Sequence, residues 1–196
     1  MATPYGHTLV GLTLFHIFQP DPSLARKRCW IAYGLVILGA GAPDLDFIPG
    51  LFFLDPGKFH HGLWHSLGAA VLFSPMAGFL VHRLLPTSSF LRTTGFVFLL
   101  FSSHLLLDFF TEDPLPPYGF PFFWPVHKAL CLSPVSLFPY VLRHPDHRDF
   151  WGHSFLSLAV ESFLLLPFFI LTLRKKDPAP PPPGGKSITA FLPKND

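Results

Sequence analysis

The sequence predicts an all-α fold: a polytopic bundle of about five helices in a membrane, with one long outer loop and a Pro-rich tail. Three observations predict it. Hydrophobic residues make up 49% of the 196 positions and charged residues only 13%, against about 25% charged in ordinary soluble domains. Mean hydropathy is +0.41. The apolar residues gather into five runs separated by polar connections.

The first run, His7 to Phe18, is short. The second extends from Cys29 to Ala42, after Arg26, Lys27 and Arg28. The third covers Gly62 to Leu85 and the fourth Leu91 to Phe110. The fifth spans Phe155 to Leu173 and ends at Arg174, Lys175 and Lys176. The last three approach the ~20 residues that a spanning helix needs, and the first two fall short of it. Pro43 to His61 forms one polar connection. Thr111 to Gly152, rich in Pro, aromatics and His, forms the other. A connection this long in a compact domain is often functional. Residues 1–176 are thus expected to form one membrane domain. Residues 177–196, with their DPAPPPPGGK composition, are expected to be an extended, disordered tail. Met1 to Gly6 lacks the charged start of a secretory signal.

Charge narrows the function. A net charge of +2 supplies no field for a phosphate backbone, so nucleic acid is not an expected partner. The two cysteines, Cys29 and Cys131, form no CxxC, which excludes a disulfide framework or a thiolate zinc finger. Topology follows from Lys and Arg. If all five runs cross, the clusters at 26–28, at Arg83 and Arg92, and at 174–176 share one side. That side is expected to be cytoplasmic. Nine of the eleven His and eight of the twelve carboxylates then fall at the other face, although neither residue type entered that assignment.

Three clusters on that face could carry chemistry. Pro43-Asp44-Leu45-Asp46 offers two carboxylates two residues apart, and it reads equally as a capped helix end. His60-His61-Gly62-Leu63-Trp64-His65-Ser66 puts His61 and His65 at i and i+4 if a helix starts at Gly62, or lets His60 converge with His65 if the turn begins earlier. It also reads as interfacial His beside a Trp. His104 and Asp108 stand at i and i+4 on an otherwise apolar helix, where ionisable groups are costly and tend to be functional. Asp108 is there either a ligand or an orienting partner for His104. His7 gains weight only from lying on the same face. His153 and Glu161, in the fifth run, are weaker candidates. His127, His144 and His147 read as solvated loop residues.

Nitrogen and oxygen donors without thiolate suit a divalent cation, Zn²⁺ first and Mn²⁺ or Fe²⁺ next, and the donor count allows one ion or two. A cation with an open position would activate water near neutral pH. The sequence shows no G-x-S-x-G, Walker loop or HExxH.

At these residues the chain resembles the YdjM-type membrane-bound metal-dependent hydrolases. Their pattern runs in order through Gly6-His7, Pro43-Asp44-Leu45-Asp46, His60 to Ser66, His104 to Asp108, and Tyr118-Gly119-Phe120-Pro121, covering roughly residues 4–130. Two positions depart: His61 replaces the family's Arg and Trp64 its Thr. The family is distantly similar to zinc phospholipases C and single-strand nucleases. The resemblance implies His7, Asp46, His60, His65, His104 and Asp108 as metal ligands. Asp44 is implied as an orienting group or alternative ligand and is the expected general base. It further implies hydrolysis of an ester or phosphoester; the enzyme is expected in the cell's inner membrane, where a site opening at the interface would suit a lipid-linked substrate as well as a small molecule. A metal carrier or sensor is the competing expectation. The inner half of the bundle offers few polar groups for a path, which counts against a carrier. A haem protein would leave the Asp residues unexplained.

Overall fold

The computed structural model describes residues 1–18, 29–53, 59–85, 89–114, 118–142 and 146–174. The expected tail 177–196, the basic residues Arg26, Lys27, Arg28, Lys175 and Lys176, and also Asp55 and His144, lie outside the described residues.

Among the described residues there are six helices and no strand beyond isolated bridges. They are α1 (Pro4–Phe18), α2 (Cys29–Ala40), α3 (Phe47–Phe52), α4 (Leu67–Leu84), α5 (Phe90–Phe109) and α6 (Phe150–Arg174). A 3₁₀ turn, Ala42–Asp46, joins α2 to α3. Three helices are long and apolar enough to cross a membrane: α4, α5 and α6 over Phe150–Leu173. The pair Trp30–Ala40 and Ala42–Gly50, bent by 61°, passes the same test together as a broken span. At 15 residues, α1 is shorter than the ~20 needed for a full crossing.

The helix ends explain where the apolar runs and the helices differ. The second run stops being α-helical at Ala40 because Pro43 enters the 3₁₀ turn at its start. Proline fits the opening of a helix and not its interior. The third run is helical only from Leu67 and not from Gly62. His61 sits at φ 61°, which no α-helix accommodates. Ser66 then caps α4, its Oγ accepting from the Ala69 N–H at 3.1 Å. His61 and His65 therefore do not share a helix face. Two loop carbonyls take up the next free amides of α4: Leu67 N–H donates to Phe122 (2.9 Å) and Gly68 N–H to Trp124 (2.8 Å). That is how the long connection packs against this end of the bundle. The fifth run gains a turn at its start and begins at Phe150.

Packing follows the logic of a helix bundle in lipid, where small residues let backbones approach. α4 lies along α5, and a Cβ built on Gly78 would stand 2.8 Å from Thr94 Cα. α1 packs between α2 and α6 and also touches α5. Phe15, Val36 and Leu100 fill one end of the bundle. Phe101, Leu105 and Phe120 form a layer under the polar end. Outward faces are apolar: Val71, Leu72, Met76 and Phe79 on α4, and Phe155, Phe163 and Phe168 on α6, are exposed. The inward face of α6 instead carries buried Ser157 and Glu161. This distribution is the one expected of a protein solvated by lipid.

Candidate metal centre

Four segments bring their polar residues to one end of the bundle. His7 lies in the first turns of α1, and Asp44 and Asp46 lie in the 3₁₀ turn after α2. His60 and His65 lie in the turns before α4, and His104 and Asp108 in the last turns of α5. The starts of α1 and α4 thus meet the ends of α2 and α5 at this end.

At the centre, one donor atom from each of Asp44, His65, His104 and Asp108 lies within 4.8 Å of the others. His104 Nε2 is 3.1 Å from Asp108 Oδ2 and 3.5 Å from Asp44 Oδ1. His65 Nε2 is 3.7 Å from each of those two oxygens. Donors bonded at ~2.0–2.1 Å around a tetrahedral cation stand about 3.3–3.4 Å apart, so these separations suit a small divalent ion. All four atoms are buried and without a hydrogen-bond partner. Buried polar atoms are almost always satisfied. Four exceptions converging on one point fit an ion.

Each imidazole is held by its other nitrogen. His104 Nδ1 donates to the Ala40 carbonyl at 2.7 Å. A carbonyl only accepts, so Nδ1 carries a proton, and Nε2 is the nitrogen left to face the centre. His65 Nδ1 donates to Asp46 Oδ2 at 2.8 Å, and His60 Nδ1 to Asp46 Oδ1 at 2.9 Å. Asp46 thus stands behind two imidazoles instead of in the central group, while Asp44 stands in it. The 3₁₀ turn accounts for the division. At ~3 residues per turn, side chains two apart leave the axis in different directions. Asp44 and Asp46 accordingly meet opposite edges of the His65 ring.

His7 lies beside the group and not among its four atoms. Its ring stacks on His104 at 3.6 Å between centroids, and its Nε2 is 3.4 Å from Asp108 Oδ1. Asp108 Oδ1 also accepts from the Ala2 N–H at 2.9 Å. His153 is held elsewhere: its Nε2 donates to the Tyr140 carbonyl at 2.5 Å. His127 faces a groove beside the start of α4.

Burial holds His60 down to about 4, which keeps its ring neutral and its lone pair available at physiological pH. Burial lowers His61 as well. Burial also opposes charge on His65, but the carboxylates of Asp44 and Asp46 outweigh it and raise this group. The field of the carboxylates therefore favours a positive charge at the centre, which a divalent cation supplies.

Two features marked in the sequence take partners there that the spacing did not give. His61 stands with His60 and His65 in a second group of donors. Glu161, fully buried in α6, accepts from the Thr3 N–H at 2.6 Å and from the Thr3 hydroxyl. It lies so close to Gly6 that a Cβ there would meet its carboxyl at 2.9 Å. Only the unusual cost of a mid-helix carboxylate marked Glu161 in the sequence, and nothing marked Thr3 as its partner.

Fold and site together define a multi-pass helical membrane protein with a buried His/Asp group able to hold a metal ion. The chain matches the YdjM inner membrane protein family over residues 1–144 and belongs to that family. The match ends before α6 begins. No curated protein and no solved structure matches it significantly.

Proposed function

We propose that the protein is a membrane-bound metal-dependent hydrolase of an ester or phosphoester. The observation that carries this reading is the convergence of four buried, unpartnered donor atoms on one point. Asp44, His65, His104 and Asp108 would hold the cation, with Zn²⁺ the best match to mixed imidazole and carboxylate donors. When bound, such a cation supplies Lewis acidity and acidifies water. The chain supplies the rest. Asp46 and the Ala40 carbonyl fix the tautomers of His65 and His104. The Asp44 side chain is 19% exposed, against 0% for Asp108. Of the two it is the one water reaches, and we assign the proton-accepting role to its second oxygen, which is not among the four converging atoms.

A groove of about 530 Å³ runs between the start of α4 and residues 123–127. Leu67, Val71, Leu72, Trp124 and Val126 line it, and Gly68 in its wall is three residues from His65. The test is zinc content of the detergent-purified protein alongside hydrolysis of nitrophenyl phosphoester and carboxylester probes. Activity that disappears with a chelator and returns with zinc is the expected result. Stoichiometric zinc without hydrolysis of any probe or lipid ester would favour a carrier or sensor.

The same reading places the protein in the inner membrane with the centre at the non-cytoplasmic face. Arg83 at the end of α4 and Arg92 at the start of α5 lie at the opposite end of the bundle from the donors, as the preference of basic residues for the cytoplasm requires. A green fluorescent protein fused after Asp196 is expected to fluoresce, and an alkaline phosphatase fused there to stay inactive. The reverse pair of results would put the centre in the cytoplasm.

A further inference from the structure

His60, His61 and His65 form a second group, again with donor atoms within 4.8 Å of one another. The rings of His60 and His61 are 4.3 Å apart, and the His65 ring is 4.7 Å from His60 and 5.1 Å from His61. Adjacent residues in an extended chain point to opposite sides. Here the left-handed backbone at His61, φ 61°, turns both rings to the same side. His tolerates that conformation better than most residues. Each ring also has a carboxylate facing its Nδ1. Asp46 serves His60 and His65. Asp113 Oδ2 lies 3.8 Å from His61 Nδ1 and is itself fixed by the Gly119 N–H at 2.7 Å. Carboxylates behind imidazoles in this way orient metal ligands. The three Nε2 atoms are left buried and unpartnered.

The geometry points to a second, outer cation position formed by His60, His61 and His65, next to the inner one. The inference rests on reading the inner group as a metal position. One imidazole nitrogen bonds one cation. With both positions filled, His65 serves the outer ion while Asp44, His104 and Asp108 keep the inner one. The two positions differ in chemistry. The inner donors are two carboxylates and one imidazole, which accept Zn²⁺ or Mn²⁺. The outer donors are three imidazoles, which favour Zn²⁺, Co²⁺ or Cu²⁺ over Mn²⁺.

The experiment uses the full-length protein in detergent, stripped with a chelator and reloaded with Zn²⁺ or Mn²⁺ alone, then desalted for elemental analysis. The wild type is expected to retain about two equivalents of zinc but about one of manganese. His61→Gly suits the left-handed backbone, and His61→Arg keeps a long side chain at the position. A folded variant of either kind is expected to retain about one zinc, with manganese unchanged. A role of His61 in folding alone would not separate the two metals. The inference is overturned if the wild type holds one zinc, or if both variants still hold two. One zinc that Asp108→Asn loses and His61→Gly keeps would overturn the outer position and leave the inner one standing. No zinc in folded wild type would overturn both readings.

Discussion

Asp108→Asn is expected to yield a folded protein that no longer retains a cation at the inner position. Asp108 divides its oxygens between two tasks. Oδ1 accepts from the Ala2 N–H and stands near His7, while Oδ2 faces the donors of Asp44, His65 and His104. An asparagine in the same rotamer keeps the acceptor toward Ala2. It puts an NH₂ where Oδ2 stood, 3.1 Å from the His104 Nε2 lone pair. A donor in that place cannot bind metal, and it satisfies His104 instead. The loss in affinity should exceed the ~100-fold that removal of an orienting partner produces. In thermal unfolding, zinc should raise the midpoint of the wild type and not that of the variant. Elemental analysis and thermal unfolding with and without zinc check both halves. A variant that keeps its metal would remove Asp108 from the ligand set.

Asp46→Asn is expected to weaken zinc binding by about 10- to 100-fold without abolishing it. The carboxylate accepts from two imidazoles at once, His60 at 2.9 Å and His65 at 2.8 Å. An amide offers one acceptor oxygen and one NH₂, so it can hold only one of those rings with its proton on Nδ1. The other ring turns, or moves its proton to the nitrogen that faces the metal. Competition titration against a zinc dye gives the affinity. An unchanged affinity would mean that packing alone orients these rings, His60 by its stacking on Phe47 at 4.0 Å and His65 by its surroundings.

The parts of this arrangement that the sequence reveals are those governed by local periodicity. α4, α5 and α6 are legible because long apolar runs leave few alternatives to a helix in a membrane. His104 and Asp108 are legible because i and i+4 meet on any helix. The turn before α4 is not legible in that way. Gly62 to His65 fits a helical spacing as well as a turn, and the left-handed residue that decides between them is a histidine, not a glycine. The exchange of places between Asp44 and Asp46 depends on a 3₁₀ turn, whose three-residue period differs from the α-helix by only a fraction of a residue. Asp113 and the Ala40 carbonyl are set by tertiary packing, as is the bond from Glu161 to Thr3. Sequence spacing holds no information about contacts 158 residues apart.

The contacts between α1 and α6 bear on how the protein is made. α1 is too short to hold itself across a bilayer, and its start is tied to α6 by Glu161 and by the Tyr5 hydroxyl at 3.0 Å from Ser162 Oγ. Every donor of the inner group has been synthesised once Asp108 leaves the ribosome. The start of α1, which puts Ala2 and His7 against Asp108, packs on α2 and α5 as well, and gains its bonds to Glu161 and Ser162 only once α6 has been inserted. The last of the packing around the donor group is therefore laid down after every donor has been made. A nascent chain stalled before Phe150 would carry all four donor residues and still lack the bonds that join α6 to Thr3 and Tyr5.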